Sequence, residues 1–262
     1  DCFEQTVESP GSLAVRLSDR RKGVGADGVI LILPSESCDA KMRIFNADGS
    51  EGQVAGNALR CVAKYLYESG RVTKDRMTIE TGGGVKEALL FIRDKLVFSV
   101  QINMGKPEFA PAKVPVKLDG DKVLNREVYL AGENRAVTCL SMGNPHVVQF
   151  VSDVDQLSLD SIGPAIENDP LFPERVNVSF AMVLERNIIK MRVWERGIGE
   201  TAACGTGACA VAVAAVENGM CDRDADIAVR LPGGEVGIRY GHDGIVWLTG
   251  DATTDFAGTI EI

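Results

Sequence analysis

The sequence predicts an α+β fold made of two homologous halves, each a mixed or antiparallel sheet wrapped around a central helix. Internal self-similarity is the first observation behind this. NADGSEGQVAGNALRC, from Asn46, aligns with ERGIGETAACGTGACA, from Glu195, when Ala55 is set against Cys204, a separation of 149 residues (204 − 55). Glu51 then meets Glu200 and Gly56 meets Gly205. TIETGGGVK and VRLPGGEVG, and then VFSVQINMGKPEF and VWLTGDATTDF, follow at nearly the same separation. The second observation is that short, β-branched, alternating segments outnumber stretches with helical periodicity.

Taken in order, KMRIFN in the first half and IIKMRVWER in the second read as strands leading into a Gly-rich loop. The loop opens a helix, expected over 58–67 and over 208–217, and Gly70 and Gly219 stand at helix-stop positions. KLVFSVQI, EVYLAG and AVTCLSMG read as further strands bounded by Gly and Pro. Pro and polar residues cluster in APAKVPVKLDGD, which places the boundary there. The first half is then 1–115 plus 257–262 and the second 116–256, related by a pseudo-twofold axis. GTIEI is expected to be a strand crossing back to the first half. The chain opens on DCFEQ without Met, and a first strand is expected to precede Asp1.

Composition narrows the function. The hydrophobic share of 45% and charged share of 25% are those of a water-soluble globular protein. The net charge of −9, with no lysine or arginine stripe, argues against a nucleic-acid partner. No apolar run reaches membrane-span length. The seven cysteines include no C-x-x-C pair and only two histidines are present, so neither a zinc site nor a disulfide framework is expected. Reduced cysteines in a cytoplasmic protein are the expectation.

Cys204 is the residue with the most chemistry around it. It precedes Gly205 and Gly207 at the start of an apolar helix. The N–H groups and dipole of a helix N-terminus favour an anion, so the thiol is expected to have a lowered pKa. The same N–H groups can hold a carboxylate. A lone C-G-x-G favours a buried structural cysteine beside a turn; a matching loop in the other half favours a site. Two such loops across an interface would flank one amino acid, an arrangement suited to inverting a stereocentre with two bases.

FNADGSE followed by G-N-A-x-R-C, then SMGNPHVV, ERVNVSF and WERGIGETAACGTGACA, resembles the ordered signatures of the diaminopimelate epimerases over essentially the whole chain. The proline racemases share the two-half plan and the C-G motif but not the NADGSE and ERGxGET pair. The resemblance implies epimerisation of LL-diaminopimelate to the meso form in lysine biosynthesis by two cysteines, with no cofactor and no metal, in a cytoplasmic homodimer. It implies that Cys204 is one acid/base residue and that Ala55 holds the place of the other, which is cysteine in the family. It assigns the reacting carboxylate to N–H groups of Gly56, Asn57, Gly205 and Thr206. Asn46, Asn144, Asn177, Glu195 and Arg196 are assigned to the amino groups and distal carboxylate, Glu195 also to catalysis, and His146 to tuning a thiol. The family's HGxGNDF segment has no counterpart here.

Each assignment has a plainer rival. Asn46, Asn144 and Asn177 could make local turn bonds, Glu195 and Arg196 could be a solvated pair, and His146 could be a satisfied loop histidine. Cys61 and Cys209 read as helix packing residues, Lys41 and Arg43 as an exposed strand face, and TGGG at Thr81 as a turn. Alanine has neither a proton to give nor a thiolate, so the two-base cycle is expected to be broken or strongly impaired in this chain. The alternatives are a racemase or dehydratase of the proline-racemase kind, which would not need Asn177, Glu195 and Arg196, and a catalytically silent amino-acid-binding protein.

Overall fold

The computed structural model describes residues 1–52 and 56–260. The chain divides into two compact units, Asp1–Asn103 with Gly250–Ile262, and Met104–Thr249. The architecture is mixed α+β and dominated by sheet.

The first unit begins with α1 (Pro10–Ser18), β1 (Gly28–Leu33), β2 (Ala40–Asn46) and β3 (Glu51–Gly52). It continues through α2 (Gly56–Glu68), β4 (Arg76–Thr81), β5 (Gly84–Arg93) and β6 (Leu96–Gly105). Its strands lie in the order β1-β2-β4-β5-β6, with β3 paired to β2. β1 and β2 run antiparallel with Val29 opposite Phe45, whereas β2 and β4 run parallel. α1 packs on β1 and β2, where Ala14, Leu31, Phe45 and Cys2 form a small core.

The second unit opens with a meander: β7 (Val123–Leu130), β8 (Glu133–Ser141) and β9 (Pro145–Phe150). After it come α3 (Leu159–Glu167), β10 (Asn177–Glu185), β11 (Ile188–Glu195), β12 (Gly199–Thr201) and α4 (Gly205–Glu217). β13 (Asp226–Leu231), β14 (Gly234–Tyr240) and β15 (Val246–Gly250) close it. The strand order is β15-β14-β13-β11-β10-β9-β8-β7, with β12 on β11. From α3 onward the second unit repeats the first element by element, helix-strand-strand-short strand-helix-strand-strand-strand. Antiparallel pairing of β10 with β11 and parallel pairing of β11 with β13 match β1/β2 and β2/β4.

α4 is enclosed: every residue from Ala208 to Ala215 is buried. Alanine and valine on all sides are what a helix surrounded by its own unit requires. α2 differs, with Asn57, Cys61, Tyr65 and Glu68 exposed at helical spacing. Cys61 is therefore not a packing residue, while Cys209 is.

Both helices start earlier than the sequence suggested, at Gly56 and Gly205, and are followed by Gly70 (φ 75°) and Gly219 (φ 72°). TGGG is a turn: the Thr81 hydroxyl donates to the Gly84 carbonyl at 2.6 Å and accepts from Gly83 N–H at 3.1 Å. The described part of GTIEI, Gly258–Ile260, is not in a strand, and Glu261 and Ile262 lie outside the described residues. Among the described residues no helix is long and apolar enough to cross a membrane.

Candidate active site

Strand alternation selects the residues that can meet α4. In β10 and β11 the residues Val178, Phe180 and Trp194 join the core shared with α3. Alternate residues point to the other face. Asn177 of β10 and Glu195 of β11 therefore lie on the α4 side, and parallel register sets His146 of β9 beside Asn177. The sheet thus gathers Asn177, His146 and Glu195 toward the N-terminus of α4.

Cys204 is the residue before that helix, in extended conformation (φ −140°, ψ 105°), and its carbonyl accepts the Ala208 N–H at 2.9 Å. Its thiol donates to Glu195 Oε2 at 3.2 Å and lies 3.7 Å from Thr206 Oγ1. Glu195 Oε1 accepts the Thr201 hydroxyl at 2.5 Å, so both carboxylate oxygens are fixed. Gly207 leaves room for the sulfur, since a Cβ there would stand 3.2 Å from it, tighter than an ordinary contact.

The environment reverses the expectation of a lowered thiol pKa. Burial and the Glu195 charge push the Cys204 thiol up to about 12, against weaker help from the Gly207 N–H and the Thr206 hydroxyl. The helix terminus is a local signal; desolvation and a neighbouring carboxylate come from the fold and outweigh it. Cys204 is a thiol at neutral pH, hydrogen-bonded to a carboxylate that can take its proton.

A relay of side chains continues from this pair. Asn144, in the β8–β9 turn, donates from Nδ2 to Thr206 Oγ1 at 3.3 Å, and its Oδ1 lies 2.9 Å from His146 Nε2. His146 is fully buried and makes its described side-chain bond to Asn144 rather than to the thiol. Burial, reinforced by the Arg196 charge, lowers its pKa to about 3, so the ring is neutral throughout the physiological range.

The sign of the resulting pH effect is fixed. The unfolded chain takes up a proton near the ordinary histidine value of about 6.5 and the folded chain does not, so stability is lost as pH falls from there toward about 3. We expect the urea midpoint of the protein to fall more steeply between pH 7 and pH 4 than that of His146→Gln, which has nothing to titrate. Equal slopes would mean that the ring is solvated.

Asn177 is buried and ties two backbone groups together: Nδ2 donates to the Pro145 carbonyl at 3.0 Å and Oδ1 accepts the Arg196 N–H at 2.9 Å. Arg196 donates to the Glu174 carbonyl at 2.9 Å. Cys204, Gly205, Thr206, Asn144, His146, Asn177, Glu195 and Arg196 thus meet within one unit. In the first unit, Asn46 ends β2 and donates to Ser50 Oγ at 2.9 Å, Gly56 is the buried first residue of α2, and Asn57 is exposed. Ala55 lies outside the described residues.

Other contributors were not evident in the sequence. Arg192 forks onto Glu200 at 2.8 and 3.0 Å, tying β11 to β12 just ahead of Cys204. Arg43 makes the same fork onto Glu51 at 2.7 and 2.8 Å, so Arg43 is half of a hairpin clamp rather than a free exposed face. Each pair ties a short strand back onto the strand before it. Thr201 was likewise unassigned. Among the described residues, no cluster of His, Cys, Asp or Glu is arranged to hold a metal.

Comparison with known proteins gives the family. The family model for diaminopimelate epimerase matches residues 1–110 and 138–254. The chain belongs to the diaminopimelate epimerase family. A diaminopimelate epimerase of Acetivibrio thermocellus is 46% identical over 263 residues, covering 100% of this chain and 93% of that protein. One from Desulfovibrio desulfuricans is 48% identical, covering 98% and 91%. Among solved structures, a Bacillus anthracis PhzF-family phenazine biosynthesis protein aligns with a TM-score of 0.68 at 18% identity, covering 96% of this chain and 88% of its own. A probable proline racemase from Agrobacterium radiobacter aligns at 0.67 and 20% identity, covering 96% and 81%. These two share the fold of the diaminopimelate epimerase family. The curated relatives carry the name of an isomerase of amino-acid biosynthesis, and a small-molecule substrate suits it.

Proposed function

We propose that this chain binds diaminopimelate and moves the proton at one α-carbon with the Cys204–Glu195 pair, but cannot by itself invert that carbon. The observation that carries this is the thiol held 3.2 Å from a fixed carboxylate at the start of α4. Glu195 takes the thiol proton, and the sulfur takes the α-proton. The first turn of a helix leaves its N–H groups without intrahelical acceptors. Those of Gly205 and Thr206 receive the substrate carboxylate and the charge that develops on it. Asn144 and Arg196 supply an amide and a guanidinium for the ends of the substrate, with Asn177 and His146 holding them.

Inversion needs a proton from the other face of the carbon. In the family that donor is a cysteine, and here Ala55 stands in its place. Gly56, Asn57 and Asn46 keep a binding role in this reading. Conversion of LL-diaminopimelate to the meso form in lysine biosynthesis is then the activity of the scaffold, lost or strongly impaired in the Ala55 chain. A cytoplasmic homodimer completes the proposal, the dimer being testable by light scattering.

Ala55 also favours a second reading, a silent amino-acid-binding protein. Calorimetry with LL- and meso-diaminopimelate, with proline as the control, tests binding. Heat with diaminopimelate but not proline is expected; the reverse would point to a proline-type racemase, and no heat with either would end the proposal. Incubation in D2O separates binding from chemistry. A base on one face returns a deuteron to that face, so exchange without inversion is expected, and at one α-configuration only. Binding with no exchange at either configuration would leave the silent binder.

A further inference from the structure

Cys204 and Glu195 depend on a turn, residues 195–199, that joins β11 to β12. Adjacent residues at its start serve opposite faces of the sheet. Glu195 points toward α4 and the thiol, whereas Trp194 packs into the core with α3. On that second face sits a carboxylate that the proton-transfer scheme does not use. Glu167, the last residue of α3, is 5% exposed. Its Oε2 accepts the Trp194 indole N–H at 2.7 Å. Its Oε1 accepts the Gly197 N–H at 2.8 Å and faces Arg175 Nη1 at 3.3 Å. Gly163 lets α3 come this close, because a Cβ there would stand 2.5 Å from the indole ring. The next amide of the turn, Arg196 N–H, is held by buried Asn177.

The first unit shows what the scaffold needs without this clamp. α1 and α3 occupy equivalent places, and Glu167 corresponds to Ser18, whose buried hydroxyl has no hydrogen-bond partner among the described residues. Trp194 corresponds to Phe45, which has no donor. The equivalent turn is held by its own residues: Asp48 accepts from the Ser50 N–H at 2.9 Å, and Asn46 donates to the Ser50 hydroxyl at 2.9 Å. The Arg–Glu fork is present in both units, so it belongs to the shared fold. Among the described residues, the buried carboxylate is present only in the unit that carries Cys204. A buried charge is costly and persists only where several donors meet it.

We propose that Glu167 is a positioning residue: by gripping Trp194 and the Gly197 amide from the α3 face, it sets Glu195 on the Cys204 thiol. The proposal rests on reading Cys204 and Glu195 as the proton-transfer pair, but its test does not require turnover or diaminopimelate.

The test is iodoacetamide alkylation of the full chain, followed at each cysteine by peptide mass spectrometry over pH 7 to 10. Glu167→Gln puts an amide N–H against the indole N–H or the Gly197 N–H, so the clamp cannot close. The carboxylate of Glu195 then drifts from the sulfur. We expect Cys204 to be alkylated roughly 3- to 10-fold faster, with a lower pH midpoint, because the thiolate is no longer opposed by a fixed neighbouring charge. Cys209, one turn along α4, is expected to stay unreactive, whereas general loosening would expose both. Glu195→Gln should reproduce the gain, and Glu167→Gln should add nothing to it, since the two act on one contact. A Glu167→Gln variant with an unchanged Cys204 rate, a parallel rise at Cys209, or a gain that multiplies with that of Glu195→Gln would overturn the proposal. Should Glu167→Gln not fold, Trp194→Phe decides. It removes one donor, and a smaller gain that disappears in the Glu195→Gln background supports the clamp, while no gain refutes it. If the alkylation pattern holds but D2O exchange fails, the clamp stands and the proposed chemistry does not.

Discussion

Ala55→Cys is expected to turn inversion on. As it stands the chain should interconvert LL- and meso-diaminopimelate no faster than a control lacking Cys204, because a single thiol can return a proton only to the face from which it took one. A second thiol supplies the missing donor. General acid–base participation is worth on the order of 10²–10⁴-fold, and the gain in kcat should fall in that range. KM should change little, since the groups proposed to hold the substrate are untouched. Polarimetry or chiral chromatography of the diaminopimelate isomers provides the measurement. Comparable inversion by the chain as it stands and by its Ala55→Cys variant would remove the reason for assigning that position a proton, and with it the two-thiol scheme.

The duplicated plan could be read from the sequence because it is written as local patterns at constant separation. Strand, loop and helix recur between Asn46 and Glu68 and again between Glu195 and Glu217, and the structure repeats them in the same order. Cys204, Glu195, Asn144 and Asn177 were legible as candidates, and the sheet brings them together on the α4 face. What local pattern could not supply was anything set by register or burial. Arg192 and Glu200 are eight positions apart and meet only because β12 folds back on β11. Glu167 in the sequence is an unremarked glutamate in a helix; its importance comes from α3 lying on Trp194. The thiol expectation failed for a related reason. A helix terminus can be recognised from a few residues, but the burial of Cys204 and the Glu195 charge beside it exist only once the chain is folded. Conversely, Cys61 looked like Cys209 because both lie in Ala- and Val-containing stretches, yet one helix is enclosed and the other has an exposed stripe.

Cys204→Ser tests the centre of the scheme from the other side. The hydroxyl is a far weaker acid than a thiol, and Glu195 beside it makes ionisation harder still. The site itself should survive: oxygen is smaller than sulfur and fits the same space, and the helix N–H groups and the relay through Thr206 and Asn144 are retained. Binding and chemistry are therefore expected to separate. In the chain as it stands, Cys204→Ser should abolish deuterium exchange while calorimetric affinity for diaminopimelate stays within about threefold. In the Ala55→Cys background it should lower kcat by on the order of 10²–10⁴-fold with KM nearly constant, the signature of a group that acts on the transition state. A fall in affinity with exchange persisting among the bound molecules would show that Cys204 binds rather than transfers. The proton would then have to pass through Glu195 directly, and Glu195→Gln, rather than Cys204→Ser, would be the variant that stops exchange.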